Sequence, residues 1–447
     1  MVLFSTSQKS INAIVIETLQ AAMRQPEISA RNLKNRELHP AVIKLENPKN
    51  NLVTLKHRNN NPFAQIAELA WLLGGRNDMD FLAYYLPNAM SFSDDDITWR
   101  RAYGPIMFAK KIERSAMNNI LAMPYNKLDF HEFRKFVEEA CIWNKDNHEF
   151  VKNNSSEGQI IRHNQFSYCL SKLTQDLTTR QAIIGLWNPN KDALMAGSKD
   201  YPCTNILHFL VRDGKLDLTV FMRSNDIIWG FSSVNVFIFT TMQLFMANCL
   251  NIPLGNYFHI ADSLHIYEKM YERAEKILDF IKNGRYIDIY NCLPEQSFLT
   301  HGGIGSEIVK EKLAEIYREH DNFKYKKEYD ISYKESRNFE DRPDFFENIR
   351  NVLKAARFFT EYKNAELKKN EAEPILNLIA SNLNALTKLD WYVSTASYVL
   401  RNVDKLHRDF IRACLKEKTN QILELVKEKQ GVESVERVGK TFGLEVL

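Results

Sequence analysis

The sequence predicts a mixed α/β (α+β) fold, a mixed sheet packed with helices, followed by a mostly helical C-terminal region. Three observations carry this. Over the first 300 residues, short apolar or alternating runs bounded by turn residues interleave with longer segments of helical spacing. Past residue 300 the strand-like runs stop, and apolar positions recur at helical spacing among many Lys and Glu. Gly (16) and Pro (13) are too scarce in 447 residues for a turn-dense all-β design. The length suits two or three domains. We place a boundary near 300, giving a domain at 1–300 with an insertion near 108–160 and a helical region at 301–447.

Taken in order, residues 9–25 read as an amphipathic helix ended by Pro26. Ala41 to Leu45 and Asn51 to Lys56 read as short strands separated by the turn signal Asn47-Pro48. Helical spacing returns over 62–86, interrupted at Gly74-Gly75. The stretch 106–160 is polar, and KDNHEFVKNNSSEG within it reads as an exposed loop or insertion. Residues 164–176 suit a helix. Ala182 to Trp187, Thr204 to Val211 and Leu216 to Met222 suit strands, the last two forming a hairpin around Arg212-Asp213-Gly214-Lys215. Residues 234–250 are apolar nearly all round and predict a buried central helix. Gly302-Gly303-Ile304-Gly305 reads as a loop, the span 320–345 is charged and tyrosine-rich, and 346–363, 372–387 and 390–430 read as helices.

Composition narrows the functional classes. Lys plus Arg (59) against Asp plus Glu (56) leaves a charge of +3, too balanced to point to nucleic acid. The lysine-bearing runs at 416–418 and 325–327 read as solvated helix faces. The N-terminus lacks the basic-then-apolar order of a signal peptide. The longest apolar stretch, Ile227 to Leu250, is interrupted by Ser232, Ser233, Asn235, Gln243 and Asn248, so no membrane span is expected. The six cysteines form no CxxC pair and no Cys/His metal spacing, so neither a disulfide framework nor a metal site is expected. These features suit a cytoplasmic protein.

The chemistry concentrates after residue 200. Tyr201-Pro202-Cys203-Thr204 is followed by Arg223-Ser224-Asn225-Asp226, then Gly230 and Asn235, then His265-Ile266-Tyr267. Singly, each has a bland reading: Cys203 an inert buried thiol, Arg223 and Asp226 an ion pair, Asn235 a core hydrogen-bonding residue, His265 a satisfied core histidine. In this order they resemble the thymidylate synthase family, with its Pro-Cys nucleophile, Arg-Ser-x-Asp, Gly…Asn and His-x-Tyr motifs. Upstream, Glu68-Leu69-Ala70-Trp71-Leu72-Leu73-Gly74-Gly75, Ala102-Tyr103-Gly104-Pro105 and the strand Thr179 to Pro189, with Arg180 and Trp187-Asn188-Pro189, resemble further segments of that family. The resemblance runs from about residue 20 to about residue 290. It departs from the family at Thr204 (usually His), at Asn225 (commonly Cys) and at Phe231-Ser232-Ser233-Val234, which replaces Leu-Pro-Phe with one residue added.

The resemblance implies a thymidylate-synthase-like catalytic domain that transfers a one-carbon unit from 5,10-methylenetetrahydrofolate to C5 of a uridylate nucleotide, dUMP. It implies Cys203 as the nucleophile adding to C6, Glu68 as general acid/base, and Tyr103 close to the thiol. Arg31, Arg223 and Ser224 would hold the phosphate, and Arg180 would reach the phosphate of a partner subunit in a homodimer with shared sites. Asn235 would read the base edge, where an amide favours uracil over cytosine. His265 and Tyr267 would hold the sugar hydroxyl, and Asp226 the pterin of the reduced folate, with Phe92 or Trp99 standing in for the tryptophan that flanks it. The altered folate wall and C-terminus favour hydroxymethylation of dUMP. The alternatives are thymidylate synthesis and a catalytically silent homologue that binds nucleotide or nucleic acid.

Overall fold

Alternating apolar and polar residues build one six-stranded sheet, in the order β1-β4-β13-β11-β10-β9. Its strands are β1 (Phe4–Gln8), β4 (Ala41–Leu45), β9 (Ile183–Gly185), β10 (Thr204–Arg212), β11 (Lys215–Met222) and β13 (Leu254–Ala261). β1 runs parallel to β4 and β11 parallel to β13, while the other neighbours are antiparallel, so the sheet is mixed as expected. The computed structural model describes residues 3–30, 32–108, 110–113, 141–144, 149–152, 160–194, 197–284, 286–294, 307–326, 345–365 and 369–444. The predicted hairpin is present: Asp213 (φ 51°) and Gly214 (φ 70°) both take the left-handed conformation that a two-residue turn between twisted strands requires.

The two faces of this sheet differ. Leu207, Phe209, Leu218, Val220 and Tyr257 point inward and are buried. On the other face Ile206, Phe221, Ile260 and Val42 lie in one register row across four strands, and Ile183, Ile206 and Phe221 are exposed. A second sheet, β12-β14-β3-β2, joins β12 (Asn225–Asp226), β14 (Leu264–Tyr267), β3 (Leu33–Leu38) and β2 (Ile28–Ala30).

Helix α1 (Ile11–Ala22) is capped by Ser10, whose side chain accepts from the Ala13 amide. Helix α2 (Pro62–Leu73) is capped by Asn61, with Pro62 in its first turn. It stops where expected, at Gly74-Gly75: Gly75 takes the left-handed φ of 63° that ends a helix, and a Cβ at position 74 would stand 2.1 Å from the Tyr317 hydroxyl. Helix α3 (Met79–Tyr85) follows, then α4 (Tyr103–Phe108) and α5 (Gln165–Gln175). Helix α6 (Val236–Leu250) is the buried central helix, every residue from Val236 to Ala247 being buried. A π-helical turn over Ile227–Asn235 runs directly into it. The joined stretch Ile227–Leu250 is thus long and apolar enough to cross a membrane, contrary to expectation, but its apolar window is 72% buried inside the protein.

Two expectations fail for identifiable reasons. Residues 51–56 join no sheet. Their backbone groups are taken by side chains instead: Leu52 N–H donates to the Tyr290 hydroxyl (2.9 Å), Thr54 N–H to Asn12 Oδ1 (2.9 Å), and Asn60 Nδ2 to the Val53 carbonyl (3.1 Å). Within the polar insertion, β7 (Glu149–Lys152) pairs with β6 (Cys141–Asn144), and β8 (Ile160–His163) with β5 (Lys110–Glu113), so part of the expected loop is strand. The Gly302–Gly305 segment lies outside the described residues.

Helix α7 (Tyr271–Lys282) follows β14, and the C-terminal helices are α8 (Glu307–Asp321), α9 (Phe345–Asn364), α10 (Lys369–Asn384), α11 (Leu389–Asn402), α12 (Lys405–Gln430) and α13 (Val432–Phe442). The single helix expected over 390–430 breaks between Asn402 and Lys405. Two of the C-terminal helices, α9 and α11, pack onto α2 and α6: Phe63 meets Phe359 (5.9 Å between ring centroids) and Tyr398 (5.5 Å), Phe237 meets Trp391 (5.9 Å), and Phe245 meets Phe345 (5.1 Å). That explains why α2 is apolar almost all round. Glu68 is its one residue that is not fully buried.

Candidate active site

Cys203 stands half-buried immediately before β10, on the loop that returns from β9. The residue after β11, Arg223, braces this loop from the adjacent strand. Its backbone N–H donates to the Cys203 carbonyl (3.0 Å), Nε to the Pro202 carbonyl (3.0 Å), and Nη2 to the Tyr201 carbonyl (3.2 Å). Nη2 also lies 3.6 Å from Cys203 Sγ, so a guanidinium faces the thiol directly. The Tyr103 hydroxyl, at the start of α4, accepts from the Thr204 amide (3.2 Å). Burial first, then the neighbouring Cys203, raises the Tyr103 phenol above its ordinary value and keeps it neutral.

Helix α2 supplies the opposite wall. Gln65 Nε2 donates to the Ser233 carbonyl in the π turn, and a Cβ at Gly104 would stand 2.6 Å from the Leu72 carbonyl. Glu68 lies three residues after Gln65 and four before Leu72, on the same helical face, between the π turn and the Tyr103 segment. Burial alone pushes its carboxyl up to about 7, with no neighbouring charge offsetting the shift.

The third wall is Asn225 to Asn235. Asp226 caps the π turn, Oδ1 accepting from the amides of Ile228 (2.7 Å) and Trp229 (2.6 Å), while Oδ2 is buried without a hydrogen bond among the described residues. Burial raises this carboxyl. His265 sits beside Asp226 in the β12–β14 register, its ring 4.8 Å from that of Tyr267. Asn225 Nδ2 donates to His259 Nε2 (3.1 Å), so the His259 proton is on Nδ1, donated to the Tyr257 hydroxyl (2.9 Å). Burial pushes His259 down to about 3, which keeps that tautomer neutral. A Cβ at Gly230 would stand 2.1 Å from Asn225 Oδ1 and 2.7 Å from Asn235 Oδ1, so only glycine lets the two amides converge there.

The residues that build these three walls lie within a stretch that matches a known family. The thymidylate synthase family profile matches residues 36–283, more than half of the chain. The chain belongs to the thymidylate synthase family. It is 33% identical to the deoxyuridylate hydroxymethyltransferase of Bacillus phage SP01 over 266 residues, 59% of each chain. Against the deoxyuridylate hydroxymethyltransferase of Delftia phage PhiW-14 it is 25% identical over 256 residues, covering 55% of this chain and 56% of that one. Against the thymidylate synthase of Bacillus atrophaeus it is 27% identical over 175 residues, 39% of this chain and 72% of that one. The chain thus spans little more than half the length of the hydroxymethyltransferases it matches.

Cys203, Arg223 and Tyr103 come together, as do Asp226, His265 and Tyr267; Asn235 meets Asn225 at the Gly230 cradle, and Ser224, half-buried, stands between Arg223 and Asn225 in the chain. Arg180 does not join them: it is exposed, and its carbonyl accepts from His208 Nε2 (3.1 Å) on the outward sheet face. Arg31 lies outside the described residues. Phe92 and Trp99 stack on each other (5.7 Å, 20°), with Trp71 edge-on to Trp99 at 6.2 Å.

Family motifs did not disclose a second set of residues that holds the Cys203 loop. Arg101 pairs with the buried Asp192 (2.7 Å), and its amide donates to Asp200 Oδ2 (2.9 Å). Arg100 Nε donates to Ser198 Oγ (2.9 Å). Adjacent arginines beside Trp99 and Tyr103 are the signal that could have marked them.

The Glu68 environment has a measurable consequence. A carboxyl whose folded pKa is raised from 4.5 to about 7 favours the folded state most below 4.5, and that advantage is lost as pH rises toward 7. Glu68→Gln should therefore stabilise the chain by roughly 1–3 kcal/mol at pH 8 and change little at pH 4.5. Thermal melts of both proteins at the two pH values check this.

Proposed function

We propose that this chain transfers a one-carbon unit to C5 of dUMP and releases 5-hydroxymethyl-dUMP. The observation that carries the proposal is the guanidinium of Arg223 at 3.6 Å from Cys203 Sγ. C5 of uracil is a weak nucleophile. Adding a thiolate at C6 breaks the C5–C6 double bond and makes C5 an enolate carbon. Arg223 favours the thiolate that this addition needs. Asn235, an amide no described residue hydrogen-bonds, can accept from N3–H and donate to O4. Glu68, with a carboxyl near 7, can lend a proton to O4 as charge builds there and take it back.

The residues fit a reduced folate at Asp226. A buried carboxylate oxygen without a partner costs free energy until an N–H donor meets it, and a pterin ring offers such donors. 5,10-Methylenetetrahydrofolate supplies the one-carbon unit when bound. His265 and Tyr267 would hold the sugar hydroxyl, and Ser224 with Arg31 the phosphate. Two observations favour hydroxymethyl over methyl. The half-buried Ser233 puts a hydroxyl where the family has an apolar stretch, which suits a pocket that admits water. Several relatives carry the name deoxyuridylate hydroxymethyltransferase. Thymidylate synthesis is the second reading, supported by relatives of that name.

We also propose that the chain works as a homodimer. The apolar row Ile206, Phe221, Ile260 and Val42, exposed at Ile206 and Phe221, suits a two-fold contact, and the Arg180 backbone meets the same sheet face through His208. Arg180 would then reach the partner's phosphate.

Incubating the chain with dUMP, dCMP or UMP and methylenetetrahydrofolate, then weighing the nucleotide, tests the first proposal. A hydroxymethyl gain on dUMP is expected. A methyl gain would establish thymidylate synthesis, and no gain would point to a silent homologue. For the dimer, mixing inactive Cys203→Ser and Arg180→Ala chains should restore activity toward about a quarter of wild-type sites, since half the dimers carry one intact site. Mixtures as inactive as either parent after subunit exchange would contradict shared sites.

A further inference from the structure

The chain carries one residue more than the family pattern between Gly230 and Asn235, and the fold absorbs it as the π-helical turn Ile227–Asn235. Such turns are uncommon, hold together less well than α-helix and concentrate at functional sites. This one is held from outside. Arg58 Nε donates to Ser232 Oγ (3.1 Å), and its Nη2 donates to the Ile228 carbonyl. Gln65 Nε2 donates to the Ser233 carbonyl, while Gln65 Oε1 accepts from Asn60 Nδ2. Both clamping side chains are buried, Arg58 5% and Gln65 1% exposed.

Arg58 is a costly choice for a purely structural role. Among the described residues no carboxylate forms an ion pair with it. Burial, then the nearby Arg273, lowers its guanidinium to about 10. The Asp226 carboxylate offsets this only in part, from beyond ion-pair distance, and a buried cation held mainly by neutral acceptors is a poor way to stabilise a core, where an apolar side chain of similar volume often serves better. Its hydrogen bonds end on the π turn, and so does the Nε2 bond of Gln65.

We propose that Arg58 and Gln65 are positioning residues that keep the turn in its widened register and thereby aim the Asn235 amide, setting the choice of uracil over cytosine. In α geometry one extra residue would rotate Asn235 by about 100° around the helix axis, away from the Gly230 cradle. The clamp prevents that relaxation. Gln65 also lies on the α2 face that carries Glu68, so the base reader and the proton donor are referenced to one helix. The inference rests on the reading of Asn235 as the base-contacting residue.

The test uses the full chain and compares dUMP with dCMP by calorimetry and initial rates. Arg58→Met and Gln65→Met remove the clamp with little change in volume, and Ser232→Ala removes one acceptor with the least disturbance to folding. The dUMP-to-dCMP affinity ratio should fall about tenfold or more, with KM for dUMP rising more than kcat falls. Amide exchange should quicken across 227–235 and stay unchanged in α6 and β13. Arg58→Lys should restore part of the ratio. Should Arg58→Met fail to fold, Ser232→Ala and Gln65→Met give the same reading. Folded variants with the wild-type ratio would overturn the clamp while leaving the proposed reaction standing. A wild-type chain without preference for dUMP would instead remove the reading of Asn235 beneath it.

Discussion

One arginine governs the geometry on which the chemistry depends. Arg223 follows β11, a strand paired on both sides in the middle of the sheet, and its hydrogen bonds run to the backbone of Tyr201, Pro202 and Cys203. A thiol on an unbraced loop would sample many positions. This one is tied to a strand that cannot move without breaking the sheet, and the guanidinium that ties it also faces the sulfur at 3.6 Å. Arg100 and Arg101 brace the other end of the same loop through Ser198, Asp200 and Asp192. Arg223, beside the thiol proposed as nucleophile, thus also serves as scaffold.

Helix α2 does for the base what Arg223 does for the thiol. Its outer faces are covered by C-terminal aromatics, Phe359 and Tyr398 against Phe63, so it is a rigid buried rod. Its remaining face aligns Gln65, Glu68 and Leu72 toward the π turn and the Tyr103 segment. The same burial that fixes the rod raises the Glu68 carboxyl to about 7, where a proton can be given and recovered near neutrality. Stability is spent at this position, and proton transfer gains from it.

Much of the fold could be read in advance where backbone pairing and side-chain pattern agree. The β10–β11 hairpin follows from alternation around Asp213-Gly214, and the break at Gly74-Gly75 from two residues that end helices. Reading failed where the hydrogen-bonding partner lies far along the chain. Residues 51–56 look like a strand, yet their partners are Asn12, Tyr290 and Asn60 side chains. Motifs located Cys203, Arg223, Asp226 and Asn235, because chemistry restricts residue type at those positions. Arg58 and Gln65 escaped notice, since nothing local reveals that they meet a turn about 170 residues later. The all-round apolar character of α2 was the available signal that the C-terminal helices cover it.

The central claim is that Cys203, activated beside Arg223, adds to C6 of dUMP and makes C5 nucleophilic. Hydrogen exchange at C5 tests that step most directly, because enolate formation lets solvent deuterium replace the C5 hydrogen. Incubating dUMP with the chain in deuterated water and following the C5–H signal by NMR should show exchange with the wild type and none with Cys203→Ser. Equal exchange in the two proteins, with the variant still folded and binding dUMP, would contradict the account.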